Sequence, residues 1–113
     1  NEFPELRFEI YLWTGKVFET RCNSEGNAKA FAFYLKSVNV DKSRLEPYEY
    51  IANLFLASSI FPSFEATINA LKFGLKEVSS KKFIYELLSK VYAKAGNKKL
   101  ADKYLSLAAK KKD

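Results

Sequence analysis

The sequence predicts an all-α fold in which antiparallel helical hairpins, about six helices in all, stack as a short α-solenoid. Three observations carry that expectation. Ile51, Leu54, Ser58, Pro62, Thr67, Leu71 and Gly74 are followed 34 positions later by Tyr85, Leu88, Tyr92, Gly96, Ala101, Leu105 and Ala108, the period of a helix–turn–helix repeat. Apolar residues recur at three- and four-residue spacing, and no stretch alternates as a strand does. Proline, glycine and Asn/Ser clusters punctuate the pattern at intervals that suit hairpins near 4–38, 47–78 and 82–110. A chain of 113 residues fits one domain, 1–113, with enough apolar content to bury a core.

The first helix is expected to start at Pro4 and run to Glu19, with Leu6, Ile10, Trp13 and Val17 spaced for one face. Asn23 to Asn27 reads as a turn, and a second helix spans about Ala28 to Val38 on Ala30, Phe31, Tyr34 and Leu35. Val38 to Val40 is allowed a locally extended form, and a polar linker continues to Glu46. Pro47 opens a third helix, Tyr48 to Ile60, whose apolar run from Ile51 to Phe61 reads as buried and is too short to span a bilayer. Ser63 is the expected N-cap of a fourth helix carrying Phe64, Ile68, Leu71, Lys72 and Leu75, which ends at Ser79-Ser80. Phe83, Ile84, Leu87, Leu88, Val91 and Tyr92 mark a fifth helix, Lys82 to Lys94. It stops at Ala95-Gly96-Asn97, where Gly96 is free to take a positive φ. The sixth, Lys98 to Lys110, places Leu100, Ala101, Tyr104, Leu105 and Ala108 on one face. The chain begins at Asn1 and holds no Met, which reads as a piece of a longer or processed chain.

Charge is placed unevenly. Residues 76–113 carry eleven Lys against Glu77, Glu86, Asp102 and Asp113, and residues 1–75 carry eight basic and nine acidic side chains, for an overall +6. That asymmetry suits an acidic partner, and it equally suits a solvated terminal helix. Chemistry is sparse. The chain has no His, which removes His-based nucleophiles and His metal sites, and its single Cys22 builds neither a disulfide nor a metal centre. No Gly-rich loop precedes a Lys-Ser/Thr pair, so a P-loop is absent. Cys22 reads as a small residue at a helix end, Glu5 and Glu9 as a surface pair, and Trp13 with Tyr11 as core packing in preference to a stacking platform. The sequence therefore predicts a non-enzymatic chain without cofactor or metal. It leaves the compartment open, an exported domain included.

The unit Tyr85-x-x-Leu88-Ser89-x-x-Tyr92-x-x-x-Gly96-x-x-x-x-Ala101-x-x-x-Leu105-x-x-Ala108 resembles the tetratricopeptide repeat. Ser89, Ala101 and Ala108 let helix axes approach, and Tyr85, Leu88, Tyr92 and Leu105 fill the gaps. Residues 48–81 keep the spacing with Phe55, Ser58 and Pro62 at variant positions, and Phe55 is expected to push its hairpin apart or rotate it. The first unit aligns through Tyr11, Thr14-Gly15, Phe18, Ala30, Tyr34 and Ser37. The resemblance implies a right-handed solenoid whose concave groove holds a partner segment. Its positions are Glu49, Ala52, Leu56, Ser59 and Ile60 in the middle unit and Phe83, Glu86, Lys90, Ala93 and Lys94 in the last. The first unit adds Glu9, Leu12, Lys16, Glu19 and Thr20. Leu56, Ile60 and Phe83 would supply apolar contact while Lys90 and Lys94 steer acidic groups, which predicts a protein-interaction or assembly module binding a peptide. Two other classes stand beside it: nucleic-acid binding through the Lys-rich third, and self-association. The stretch from Phe83 to Gly96 also resembles a pentatricopeptide-like, RNA-binding unit, in which Glu86 would be unwelcome.

Overall fold

The computed structural model describes residues 3–58 and 61–111. Six helices follow one another: α1 (Pro4–Glu19), α2 (Ser24–Val40), α3 (Glu46–Ala57), α4 (Phe64–Glu77), α5 (Lys81–Lys94) and α6 (Lys98–Ala109). No strand occurs among the described residues. Proline opens α1 and α3, where its missing N–H costs nothing because the first turn has no acceptor for it. Ser63 caps α4, its hydroxyl accepting from the Ala66 N–H at 3.1 Å. Between α5 and α6 the chain closes a Schellman turn. Asn97 N–H donates to the Tyr92 carbonyl at 2.9 Å and Gly96 N–H to that of Ala93 at 3.1 Å, with Gly96 at φ 88°. Asn97 then caps α6 by accepting from Leu100 N–H at 3.1 Å.

Three boundaries differ from the sequence expectation. The stretch expected as a turn, Asn23 to Asn27, is the first turn of α2, because the Asn23 carboxamide accepts from Gly26 N–H at 2.7 Å and starts the helix at Ser24. The strained residue of that connection is Cys22, exposed and at φ 55°. At its other end α2 continues through Val40, so Val38 to Val40 is helical and not extended. Asp41 turns the chain there, its carboxylate accepting from the Ser43 backbone N–H at 3.1 Å and the Ser43 hydroxyl at 2.7 Å. Helix α3 ends at Ala57, short of Ile60.

Consecutive helices pack against one another from α1 to α6, and α3 also packs against α5. Helices α1 with α2, and α5 with α6, touch along their lengths, whereas α3 meets α4 over a shorter stretch. The middle hairpin is the one that carries Phe55, buried against Phe64 with ring centroids 6.0 Å apart. Two core clusters result. One gathers Phe8, Leu12, Ala30, Tyr34, Ile51 and Leu54 between the first hairpin and α3. The other runs from Tyr48 and Leu71 through Ile84, Leu88 and Val91 to Ala101. Close approach depends on small residues. Ser89 is buried and donates its hydroxyl to the Ala101 carbonyl at 2.8 Å, bringing α5 onto α6. Leu105, expected to fill that contact, is 57% exposed.

The larger correction concerns α1. Leu6, Ile10, Trp13 and Val17, expected to face the core, are 57%, 52%, 68% and 62% exposed, and the buried face is Phe8, Leu12 and Gly15. Tyr34 explains the choice. It lies against Gly15, where a Cβ would stand 2.4 Å from the ring, and that approach is open only on the glycine side of the helix. Its hydroxyl then reaches Glu19.

Candidate functional site

The expected groove positions lie on α3 and α5 and have unequal fates. Phe83 is 47% exposed and Lys90 is exposed, so both are free to meet a partner. Glu49 and Glu86 are half-buried, and Leu56 packs on the core with only part of its surface open. Ala52 is fully buried and lines no accessible surface, because α3 turns that face into the α3–α5 contact. Ser59 and Ile60 lie outside the described residues.

Lys94 has a structural role. Its ammonium donates to the carbonyls of Phe55, of Leu56 at 3.1 Å and of Ser58 at 2.9 Å, and it sits 4.9 Å from the Phe55 ring centroid. These are carbonyls at the end of α3, where helix groups lack intrahelical donors and the dipole is negative. Lys94 is thus a C-cap supplied from α5, its exposed ammonium held at the end of α3. Lys81 does the same for α4, donating to the Leu75 and Val78 carbonyls at 2.6 and 3.2 Å. We expect Lys94→Met to cost about 1 kcal/mol in urea unfolding, the worth of a cation bonded to the carbonyls at a helix C-terminus. Lys90→Met, at an exposed site, should stay within about 0.5 kcal/mol; equal losses would sink the capping role.

The first-unit positions are drawn together elsewhere. Glu9, Leu12 and Lys16 line a cavity of about 200 Å³ with Trp13, Glu46 and Tyr50, between α1 and α3. Glu9 pairs there with Arg44 at 3.2 Å, Arg44 with Glu46 at 2.8 Å, and Lys16 stands 4.1 Å over the Tyr50 ring. The Arg44 hydrogen bond holds the Glu46 carboxyl below its ordinary range. Burial, with Glu49, Glu46, Glu9 and Glu19 around it, raises the Tyr50 phenol. Glu19 accepts from Tyr34, and Thr20 is exposed with its hydroxyl donated to the Val17 carbonyl.

A larger cavity, about 490 Å³, opens between α2 and α4. One wall is Phe31, Leu35 and Val38, and the other is Ala66, Ala70 and Phe73; Tyr48 of α3 forms part of the lining, and Asn39 and Asn69 supply its polar groups. Each wall follows i, i+4, i+7 spacing along one helix face. The helix starts are tied together, since the Asn27 carboxamide donates to the Phe61 carbonyl at 3.1 Å and the Phe31 and Phe61 rings meet edge-on at 5.7 Å. Leu35 and Phe73 stand 38% and 41% exposed at the groove. Reading each helix for one apolar face missed these residues. The signal that would have found them is the second stripe of α4, Ala66, Ala70 and Phe73, which runs beside the core stripe Thr67, Ile68, Leu71.

No three His, Cys, Asp or Glu gather as a metal site among the described residues, and no helix there is long and apolar enough to cross a membrane. Compared with models of protein families, with curated proteins and with solved structures, the chain finds no match. The resemblance to tetratricopeptide repeats has no support from them.

Proposed function

We propose that this chain is a non-enzymatic protein-interaction module that takes an amphipathic helix of a partner protein into the groove between α2 and α4. The observation that carries the reading is the pair of facing apolar stripes, Phe31/Leu35/Val38 and Ala66/Ala70/Phe73, left unfilled around a cavity of about 490 Å³. Each stripe spans about two helical turns, or roughly 10 Å, the length over which a docked helix presents three anchors at i, i+3/i+4 and i+7. Apolar walls with few polar groups are the usual composition of a binding cleft. The stacking of hairpins as a right-handed, tetratricopeptide-like solenoid belongs to the same proposal, with Phe83, Glu86 and Lys90 forming a second, more polar face on α5. Lys81 and Lys94 bond backbone carbonyls, while Lys90, Lys99, Lys103 and Lys110 are exposed and leave a nucleic-acid reading as the alternative that salt dependence tests.

The test uses amphipathic helical peptides selected by display against the isotope-labelled chain. Shift changes should concentrate on Leu35, Val38, Asn69 and Phe73, and Phe73→Glu should weaken binding roughly 30-fold or more, as truncation of a hot spot does. Affinity should hold nearly constant between low and high salt. Selection yielding only binders that map to residues 76–111 and fade steeply with salt would overturn the reading and favour a polyanion.

A further inference from the structure

We propose that α1 is a homodimer seam: the chain pairs with a second copy of itself through Phe3, Leu6, Ile10, Trp13 and Val17, the two α1 helices running antiparallel. These side chains are 65%, 57%, 52%, 68% and 62% exposed, and together they form the apolar face of α1 that the fold leaves uncovered. This face is independent of the α2/α4 groove and lies on the opposite side of α1 from its core residues Phe8, Leu12 and Gly15.

The spacing identifies the occupant as another helix. Positions 3, 6, 10, 13 and 17 alternate steps of three and four, the a/d repeat that places every apolar residue on one helix–helix seam. A binding site for an irregular segment needs no such register. The charges then select a second copy and its direction. Glu9 and Lys16 border the seam on one side and Arg7 and Thr14 on the other. In an antiparallel pair centred between Ile10 and Trp13, Ile10 stacks on the partner copy's Trp13 and Leu6 on its Val17. Glu9 of each copy then faces Lys16 of the other, twice by symmetry. A parallel pair would place Glu9 beside Thr14, Lys16 beside Arg21 and two indoles in one layer. Glu9 and Lys16 are each 43% exposed at the side chain. Within one copy Glu9 pairs with Arg44 at 3.2 Å and Lys16 with Glu19 at 3.7 Å, so the cross-seam pair would extend these ion pairs into an alternating row of charges. Area is sufficient. A specific interface needs about 1,000 Å² in total, or roughly 500 Å² per copy, and five side chains more than half exposed approach that figure when each aromatic alone carries about 150–250 Å².

Sedimentation velocity over a range of concentrations should show a monomer–dimer equilibrium. Trp13→Glu should raise its dissociation constant roughly 30-fold or more, with helicity by circular dichroism unchanged because the indole is exposed in one copy. Glu9→Lys alone and Lys16→Glu alone should each weaken the dimer, and the two combined should restore it in part, since each reversal also sets a like charge against Arg44 or Glu19 of its own copy. In a Cys22→Ser background, Leu6→Cys mixed with Val17→Cys should cross-link, and Leu6→Cys alone should not. A chain that stays monomeric at every concentration overturns the proposal, and so does a monomer that captures a different protein through Trp13. A dimer indifferent to Trp13→Glu but dissolved by Phe73→Glu also overturns it, by moving self-association to the other groove. Cross-linking of Leu6→Cys to itself would overturn the antiparallel register.

Discussion

Replacing Tyr48 by Ala is expected to lower the unfolding free energy by about 3–5 kcal/mol. Small domains hold about 5–15 kcal/mol in all, so the variant should sit near its folding limit. Tyr48 is fully buried at the start of α3 and joins three elements. Its ring lies against Gly74 of α4, where an added Cβ would come within 2.8 Å of it. Its hydroxyl donates to the Lys42 carbonyl at 2.7 Å, which fixes the α2–α3 linker. Removing the ring leaves a cavity that Gly74, having no side chain, cannot fill. Tyr48→Phe keeps the packing and should cost only about 1 kcal/mol, the net worth of one hydrogen bond. Urea unfolding of the two variants decides the point, and equal losses would assign the effect to the hydroxyl.

The same phenol gives a pH signature. Burial, with Glu77 and Asp41 nearby, pushes Tyr48 from 10.0 up to about 12. A raised pKa in the folded state means that the stability it contributes is complete below pH 10.0 and is lost as pH climbs towards about 12, because the unfolded chain releases that proton first. Tyr34, also raised chiefly by burial, adds to the same loss at higher pH. Unfolding curves should therefore be flat through neutral pH with respect to these groups and fall above pH 10, less steeply in Tyr48→Phe.

Gly15→Leu should be the most damaging change on α1, at about 3 kcal/mol or more, the upper range for overpacking a filled core. A first carbon at this position would already stand 2.4 Å from Tyr34 Cε1 and 2.7 Å from Cδ1. Tyr34 cannot retreat, since it is fully buried, meets the Tyr50 ring at a tilt with centroids 5.5 Å apart and is anchored through its hydroxyl to Glu19. Leu is also a better helix former than Gly by close to 1 kcal/mol, so a net loss isolates the clash from propensity. Adding Tyr34→Ala to Gly15→Leu should cost less than Tyr34→Ala costs in the parent chain, because the smaller side chain makes room. If thermal unfolding showed the double variant to be less stable by the sum of the two single losses, the ring–glycine contact would not be what docks α1 on α2.

Local signals were legible in the sequence because they act within one turn of helix. Pro4 and Pro47 at helix starts, Ser63 as a cap and Gly96 at positive φ all appear where their chemistry places them. Where a local signal had two readings, context chose between them. Asn23-Ser24-Glu25 serves a turn or a cap equally well, and the Asn23 bond to Gly26 N–H made it a cap. The groove positions were less legible. Ala52 and Leu56 share a helix with buried Ile51 and Phe55, and only the rotation of α3 against α5 settles which of them reaches solvent.

What the sequence by itself determined is therefore the number, type and approximate limits of the helices, since spacing and caps are properties of contiguous residues. Only the tertiary structure decided which faces are used. Helix α1 is apolar on both sides, with Phe8 and Leu12 on one and Leu6, Ile10, Trp13 and Val17 on the other. Hydrophobic spacing favours neither, and the choice falls to Tyr34, which can pack closely only where Gly15 has no side chain. The fate of Lys94 is settled in the same way, because its partners lie 36 to 39 residues earlier in the chain and exist only once α5 has docked on the end of α3.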